Sequence, residues 1–142
     1  MDFGYIITIT GTQTVDGETD SVEVVTTGEY HEENGSKTVH YIEYSNEDPN
    51  LRTDTTVTID GDDRLTILRR GETSSRLELQ RGRRHQCAYE TPMGQLMIGV
   101  YTDDIRDTLS PMGGDLYASY QLDFYADVVS NNEFHINLKE KE

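Results

Sequence analysis

Between Arg64 and Arg84 the chain carries seven arginines: Arg64, Arg69, Arg70, Arg76, Arg81, Arg83 and Arg84. Only Glu72 and Glu78 oppose them, so the window is net +5 (seven minus two). The whole chain is net −15, so the remainder carries −20. A guanidinium presents its N–H groups as a planar fork that matches a carboxylate or a phosphate, and arginines on neighbouring strands can converge on one. The competing reading is a solvated outer face whose arginines pair with carboxylates elsewhere, a common arrangement on sheets.

His85, Cys87 and Tyr89 form a second constellation. On a strand the spacing i, i+2, i+4 puts all three on one face. Histidine and tyrosine join an apolar body to a polar tip, which suits the wall of a polar pocket. The alternative is ordinary core packing around a small buried cysteine. Cys87 is the only cysteine, which excludes an intramolecular disulfide. Only nearby arginines could lower its pKa, so it is not read as a nucleophile.

The four histidines, His31, His40, His85 and His135, include no i, i+2 pair and no H-x-x-x-H. C-x-x-C and a calcium-type acidic loop are also absent, so no metal ligands are assigned. His31 reads as part of a polar turn and His135 as outward-facing, opposite in parity to Phe134 and Ile136. There is no G-x-S-x-G and no phosphate-cradling glycine loop, and Gly113-Gly114 reads as a turn. No cofactor and no catalytic residue is expected.

The elements that must position these residues are strands. Residues 5–13 are rich in Ile and Thr, and Asp16-Gly17 supplies turn chemistry. Residues 21–30 place Val22, Val24 and Thr26 on one face, before Asn34-Gly35 reverses the chain. Residues 37–45 set Val39, Tyr41 and Glu43 against His40, Ile42 and Tyr44. A polar loop with Pro49 follows over 46–52. The spans 53–60, 64–70, 76–81 and 84–90 carry the inward pairs Val57 and Ile59, Leu65 and Ile67, and Leu77 and Leu79, then His85, Cys87 and Tyr89. Gly82 reads as a bulge or tight corner. After a turn at 91–94, residues 95–102 turn Leu96, Ile98 and Val100 inward. Residues 103–109 fit either a helical turn or a continued strand. Residues 116–126 alternate Leu116, Ala118, Tyr120, Leu122, Phe124 and Ala126 on one face. Ser130-Asn131-Asn132 is expected to turn the chain into a last row of Phe134, Ile136 and Leu138. The three prolines, Pro49, Pro92 and Pro111, all fall between candidate strands.

Such regular short strands with turn residues between them indicate a sandwich or barrel, and the short connections favour hairpins. Closing the sheet removes its exposed edges. At 142 residues one domain spanning 1–142 is expected, large enough for a core without staples. The hydrophobic fraction of 34% and mean hydropathy of −0.69 are low, but the alternation concentrates the apolar residues on one face. The 27 acids against 12 bases argue against nucleic acid and against anionic membranes as partners. The opening Met1-Asp2-Phe3-Gly4-Tyr5 has no basic, apolar leader, so a cytoplasmic location is expected.

An ordered set of short motifs resembles the YwiB-like family, small bacterial proteins without an assigned role. The set runs through Thr27-Gly28-Glu29-Tyr30, Tyr41-Ile42-Glu43-Tyr44, Arg69-Arg70-Gly71, Gly82 and His85. It continues with Tyr89-Glu90-Thr91-Pro92-Met93-Gly94, Thr102, Tyr120-Gln121-Leu122 and Asn132. The resemblance implies an all-β, antiparallel, up-and-down calycin (lipocalin-like) barrel of about 8–10 strands. It implies no reaction. The Gly-x-Trp signature of true lipocalins is missing, since the chain contains no Trp.

Together these features lead to a non-enzymatic barrel holding a small, anionic ligand at one mouth. The candidate ligand-binding residues are His85, Tyr89, Arg81, Arg83, Tyr120 and Tyr41. The alternative is an interaction or structural barrel, homodimeric, with a filled interior and no ligand. An enzyme using His85 ranks last.

Overall fold

The computed structural model describes residues 4–44, 50–61, 63–71, 74–91, 94–124 and 127–141, with the side chains of 89–91 and 127–129 left aside. These residues form ten strands and no helix. They are β1 (Tyr5–Val15), β2 (Glu18–Glu33), β3 (Ser36–Tyr44), β4 (Arg52–Asp60) and β5 (Arg64–Gly71). Then come β6 (Ser75–Gln80), β7 (Arg84–Thr91), β8 (Gly94–Asp107), β9 (Gly113–Phe124) and β10 (Asp127–Glu140). Each strand lies antiparallel beside the next, and β1 pairs with β10 from Tyr5↔Glu140 to Thr14↔Asn131, closing an up-and-down barrel.

Local chemistry sets the turns. Asp16 and Gly17 have φ of 50° and 81°, and Asn34 and Gly35 have 51° and 83°. Positive φ at both central residues is the type I′ geometry that matches strand twist. Gly82, at φ 75°, is the corner through which the β6–β7 connection docks on β8, its N–H donating to the Thr102 carbonyl at 2.8 Å.

Five connections, β1–β2 through β9–β10, gather at what we call the upper end, and the other four lie at the lower end. The lower half is apolar. Ile59, Leu65, Leu79, Leu116 and Leu138 are fully or almost fully buried. The β8–β9 connection crosses this end and inserts Leu109, only 3% exposed. It is tied down by Lys37 Nζ donating to the Leu109 carbonyl (2.7 Å) and Tyr5 Oη donating to that of Pro111 (2.6 Å).

Several expectations change. Residues 103–107 continue strand β8, with the register shifting between Thr102 and Asp104 where Asp103 bulges out. Ser130–Asn132 is not a turn: all three residues lie within β10, and Ser130 and Asn132 are buried. The reversal falls between Phe124 and Asp127, so Ala126 lies outside the described residues, as do Ser45, Pro49 and Pro92. His31 sits on strand β2 rather than in a turn. Val22 has the inward parity but is 65% exposed, because the β1–β2 hairpin runs past the barrel wall.

Gly28 is the point where β2 leaves β1 for β3, pairing with both Tyr5 and Tyr41. A Cβ there would strike the His40 carbonyl oxygen and Ile7 Cδ1. At Gly11, on β1, the corresponding space is empty. Gly28→Ala is therefore expected to destabilise the fold by about 2 kcal/mol through overpacking. Gly11→Ala should be neutral or stabilising by about 0.5 kcal/mol. Urea denaturation of the two variants checks the contrast.

Candidate functional site

Toward the upper end the inner face turns polar. The ladders place Tyr41 of β3 opposite Thr55 of β4, Thr55 opposite Arg69 of β5, and Arg69 opposite Ser75 of β6. Arg69 holds the inward register because it follows Leu65 and Ile67 at spacing two. Tyr41 and Thr55 are completely buried. Tyr41 Oη, Thr55 Oγ1 and Arg69 Nε all lie out of solvent; they sit close to one another, but none completes a well-aligned hydrogen bond among the described residues. Three orphaned polar groups side by side are uncommon, since each forfeits about 1–3 kcal/mol of solvation. Burial pushes the Tyr41 phenol well above the usual tyrosine range; the Glu43 carboxylate adds to the rise, while Arg69 and Thr55 oppose it. Glu43 lies 3.9 Å from Arg69 Nη2, a long ion pair, and 36% of the Arg69 side chain still reaches solvent.

Arg69 and Ser75 also line a cleft of about 440 Å³ where β5 and β6 meet β7 and β8. Arg70, Arg76 and Ser74 complete its polar wall, with Leu68 and Ala88 as apolar surface. Arg76 is engaged by Glu78 on its own strand at 3.0 Å. Arg70 makes no ion pair among the described residues. An adjoining cleft of about 300 Å³ shares Leu68 and Arg70 and adds Thr56 with the His40 Nε2–Asp54 Oδ1 pair. Three guanidinium forks and two hydroxyls around one opening can hold a carboxylate or phosphate.

The residues singled out from the sequence do not meet at one place. Tyr41 stands in the orphaned row, and Tyr89 extends that row through its pairing with Ser75, though its side chain is not described. His85 lies at the far end of β7, where Nε2 is 3.2 Å from Gln80 Oε1. Arg81 donates to the Ile105 carbonyl and lies 3.6 Å from Asp104. Arg83 is exposed. Tyr120 pairs with Thr102 and Asn132 and lines a separate cleft of about 430 Å³. Outward placement of Arg76 and Arg84 agrees with parity. Arg84 makes a two-pronged pair with Asp123, at 2.9 and 2.6 Å, across the bare backbone of Gly99.

Cys87 occupies a seam. Among the described residues β6 and β7 share one ladder pair, Ser75↔Tyr89, and the Glu78 N–H turns instead to Cys87 Sγ at 3.4 Å. Burial raises the Cys87 pKa, with the Glu78 N–H opposing. That is the environment of a packing thiol rather than of a nucleophile.

Arg69, Thr55 and Ser75 were missed as site residues. Parity alone could have found Arg69, two residues beyond Ile67 on a strand whose odd positions face inward. Its orphaned neighbours depend on cross-strand register, which the sequence does not display.

Residues 7–136 match the model of a domain-of-unknown-function family, DUF1934. The chain belongs to that family. Among solved structures it is similar to the ywiB protein from Bacillus subtilis, with a TM-score of 0.85 at 16% sequence identity. The alignment covers 99% of this chain and 93% of that one. A likeness at that identity establishes the shared fold. No curated protein matches the chain in sequence.

Because the Tyr41 hydroxyl completes no well-aligned hydrogen bond among the described residues, Tyr41→Phe is expected to leave stability at pH 7 within about 1 kcal/mol of wild type, or to raise it. The unfolded phenol ionises near pH 10 and the folded one above that, so its contribution is intact below about pH 10 and is lost as pH rises further. The variant should therefore lose less stability between about pH 10 and pH 11 than wild type. Chemical denaturation at stepped pH measures both effects.

Proposed function

We propose that the protein is a binding module that takes up a small anion, a carboxylate or phosphate group on a compact molecule, at the arginine-lined upper mouth of the barrel. The observation that carries this reading is the buried Arg69 Nε, which has no well-aligned partner among the described residues and stands in a row with the Thr55 and Tyr41 hydroxyls. A native fold tolerates such groups where something else supplies their hydrogen bonds. The same guanidinium borders the cleft that Arg70 and Arg76 line from the outward face of the sheet, so Arg69 links the orphaned row to that cleft.

The sign of the field supports selectivity. A net charge of −15 opposes adventitious anions everywhere except at this basic window. The repulsion also disfavours nucleic acid and anionic lipid, and we place the activity with small solutes of the cytoplasm. A barrel that holds a small molecule at its mouth is a calycin-like arrangement. Binding is favoured over catalysis because the groups assembled here are mainly guanidinium and hydroxyl donors, and the nearby Glu43 carboxylate faces Arg69 rather than a nucleophile.

Inorganic phosphate at about 10 mM, against sodium chloride of equal ionic strength, is expected to raise the thermal midpoint of wild type by about 4 °C, as ligand at about ten times Kd would. Arg69→Met keeps the stem, removes the fork and should abolish the shift; Arg83→Met, outside the cleft, should not. An equal shift in Arg69→Met and wild type, or none in wild type with phosphate or citrate, would overturn the proposal.

A further inference from the structure

The barrel is not closed along its whole height. β2 pairs with β1 from Glu18 to Gly28 but with β3 only from Gly28 to Glu33. Continuing the register would set Thr27, Thr26 and Val25 against Ile42, Glu43 and Tyr44, yet the strands diverge there. Among the described residues, the side-chain hydrogen bond across the gap is Thr26 Oγ1 donating to the Ile42 carbonyl at 3.2 Å. Among the described residues, nothing pairs along the outer side of residues 18–27, a strand edge about 30 Å long. The N–H and C=O groups on that side have no partner among the described residues. Residues 18–23 are all exposed, including Val22 at 65%, and Val25 is 62% exposed.

An open edge with high β-propensity is a template for another strand. The sequence of this one, Glu18-Thr19-Asp20-Ser21-Val22-Glu23-Val24-Val25-Thr26, decides which strand fits. A two-fold axis perpendicular to the sheet can pair it with itself only in registers that keep facing residues on the same side. Centred on Val22, that pairing sets Val22 on Val22, Ser21 on Glu23, Asp20 on Val24, Thr19 on Val25 and Glu18 on Thr26. No acid faces an acid, although the stretch holds three. Centring on Asp20 or Glu23 would put like charges directly opposite, which destabilises a sheet, and centring on Ser21 or Val24 would face the exposed Val22 with Asp20 or Thr26 rather than with a second valine.

We infer that the occupant of this edge is a second copy of the chain, and that two barrels join through antiparallel β2–β2 pairing centred on Val22. The pairing turns a liability that could propagate into a closed, isologous contact. It brings two exposed valines together and supplies main-chain partners along the free edge. The contact lies apart from the arginine cleft and does not depend on it.

The experiment is light scattering coupled to gel filtration over rising protein concentration. Wild type is expected to move from 16.2 kDa toward twice that mass by about 200 µM. Val22→Lys places two ammonium groups opposite each other at an exposed position, so it should keep the protein monomeric with its thermal midpoint unchanged. Val22→Cys, oxidised with copper phenanthroline, should give a disulfide-linked dimer, whereas Val25→Cys, facing Thr19, should not. A wild-type mass fixed at 16.2 kDa overturns the inference. So does a dimer that survives Val22→Lys, because its contact must lie elsewhere.

Discussion

Everything in this molecule follows from the space that ten strands enclose. Eight strands make a barrel whose interior ordinary side chains just fill, and each added strand widens it. With only 34% hydrophobic residues, the chain has a limited stock for the wider space. It spends that stock unevenly. The lower half receives the branched aliphatics and a plug, Leu109, delivered by a connection rather than a strand. The upper half is filled by residues that bring polar atoms with them: Tyr41, Thr53, Thr55 and Arg69.

That uneven filling links packing to the proposed activity. Threonine and tyrosine fill volume as valine and phenylalanine would, but their hydroxyls need partners that a barrel wall, whose backbone groups are committed to ladders, does not provide. The orphaned row is the result. It sits beside the one stretch of the chain where positive charge accumulates, and next to the seam where β6 and β7 part around Cys87. A tighter seam would seal the wall there; the thiol, a weak acceptor, satisfies the Glu78 amide while holding the strands apart.

Much of the fold was legible in the sequence because period-two alternation and turn residues are local signals. Asp16-Gly17 and Asn34-Gly35 turn as their chemistry dictates, and the inward rows of β4, β5 and β6 lie where alternation puts them; that of β9 does so from Leu116 to Leu122, while Phe124 is 39% exposed. The readings that failed involved non-local causes. Ser130 and Asn132 look like turn formers but are buried in β10, because pairing to β9 and β1 overrides their preference. Residues 103–107 gave no clear period because Asp103 bulges and shifts the parity. The arginines were legible as a charge window and parity alone sets Arg69 inward, but that it lands among buried hydroxyls is a matter of cross-strand register.

The ladder between β1 and β10 has a further consequence. It joins strands from opposite ends of this chain, so it is the pairing with the largest loop to close. Local hairpins can form early, but the sheet remains an open, curling ribbon with two bare edges until its last strand arrives. During synthesis that strand is still to emerge when most of the others are exposed. Through that interval the repulsion between chains of net charge −15 opposes the pairing of one unfinished ribbon with another.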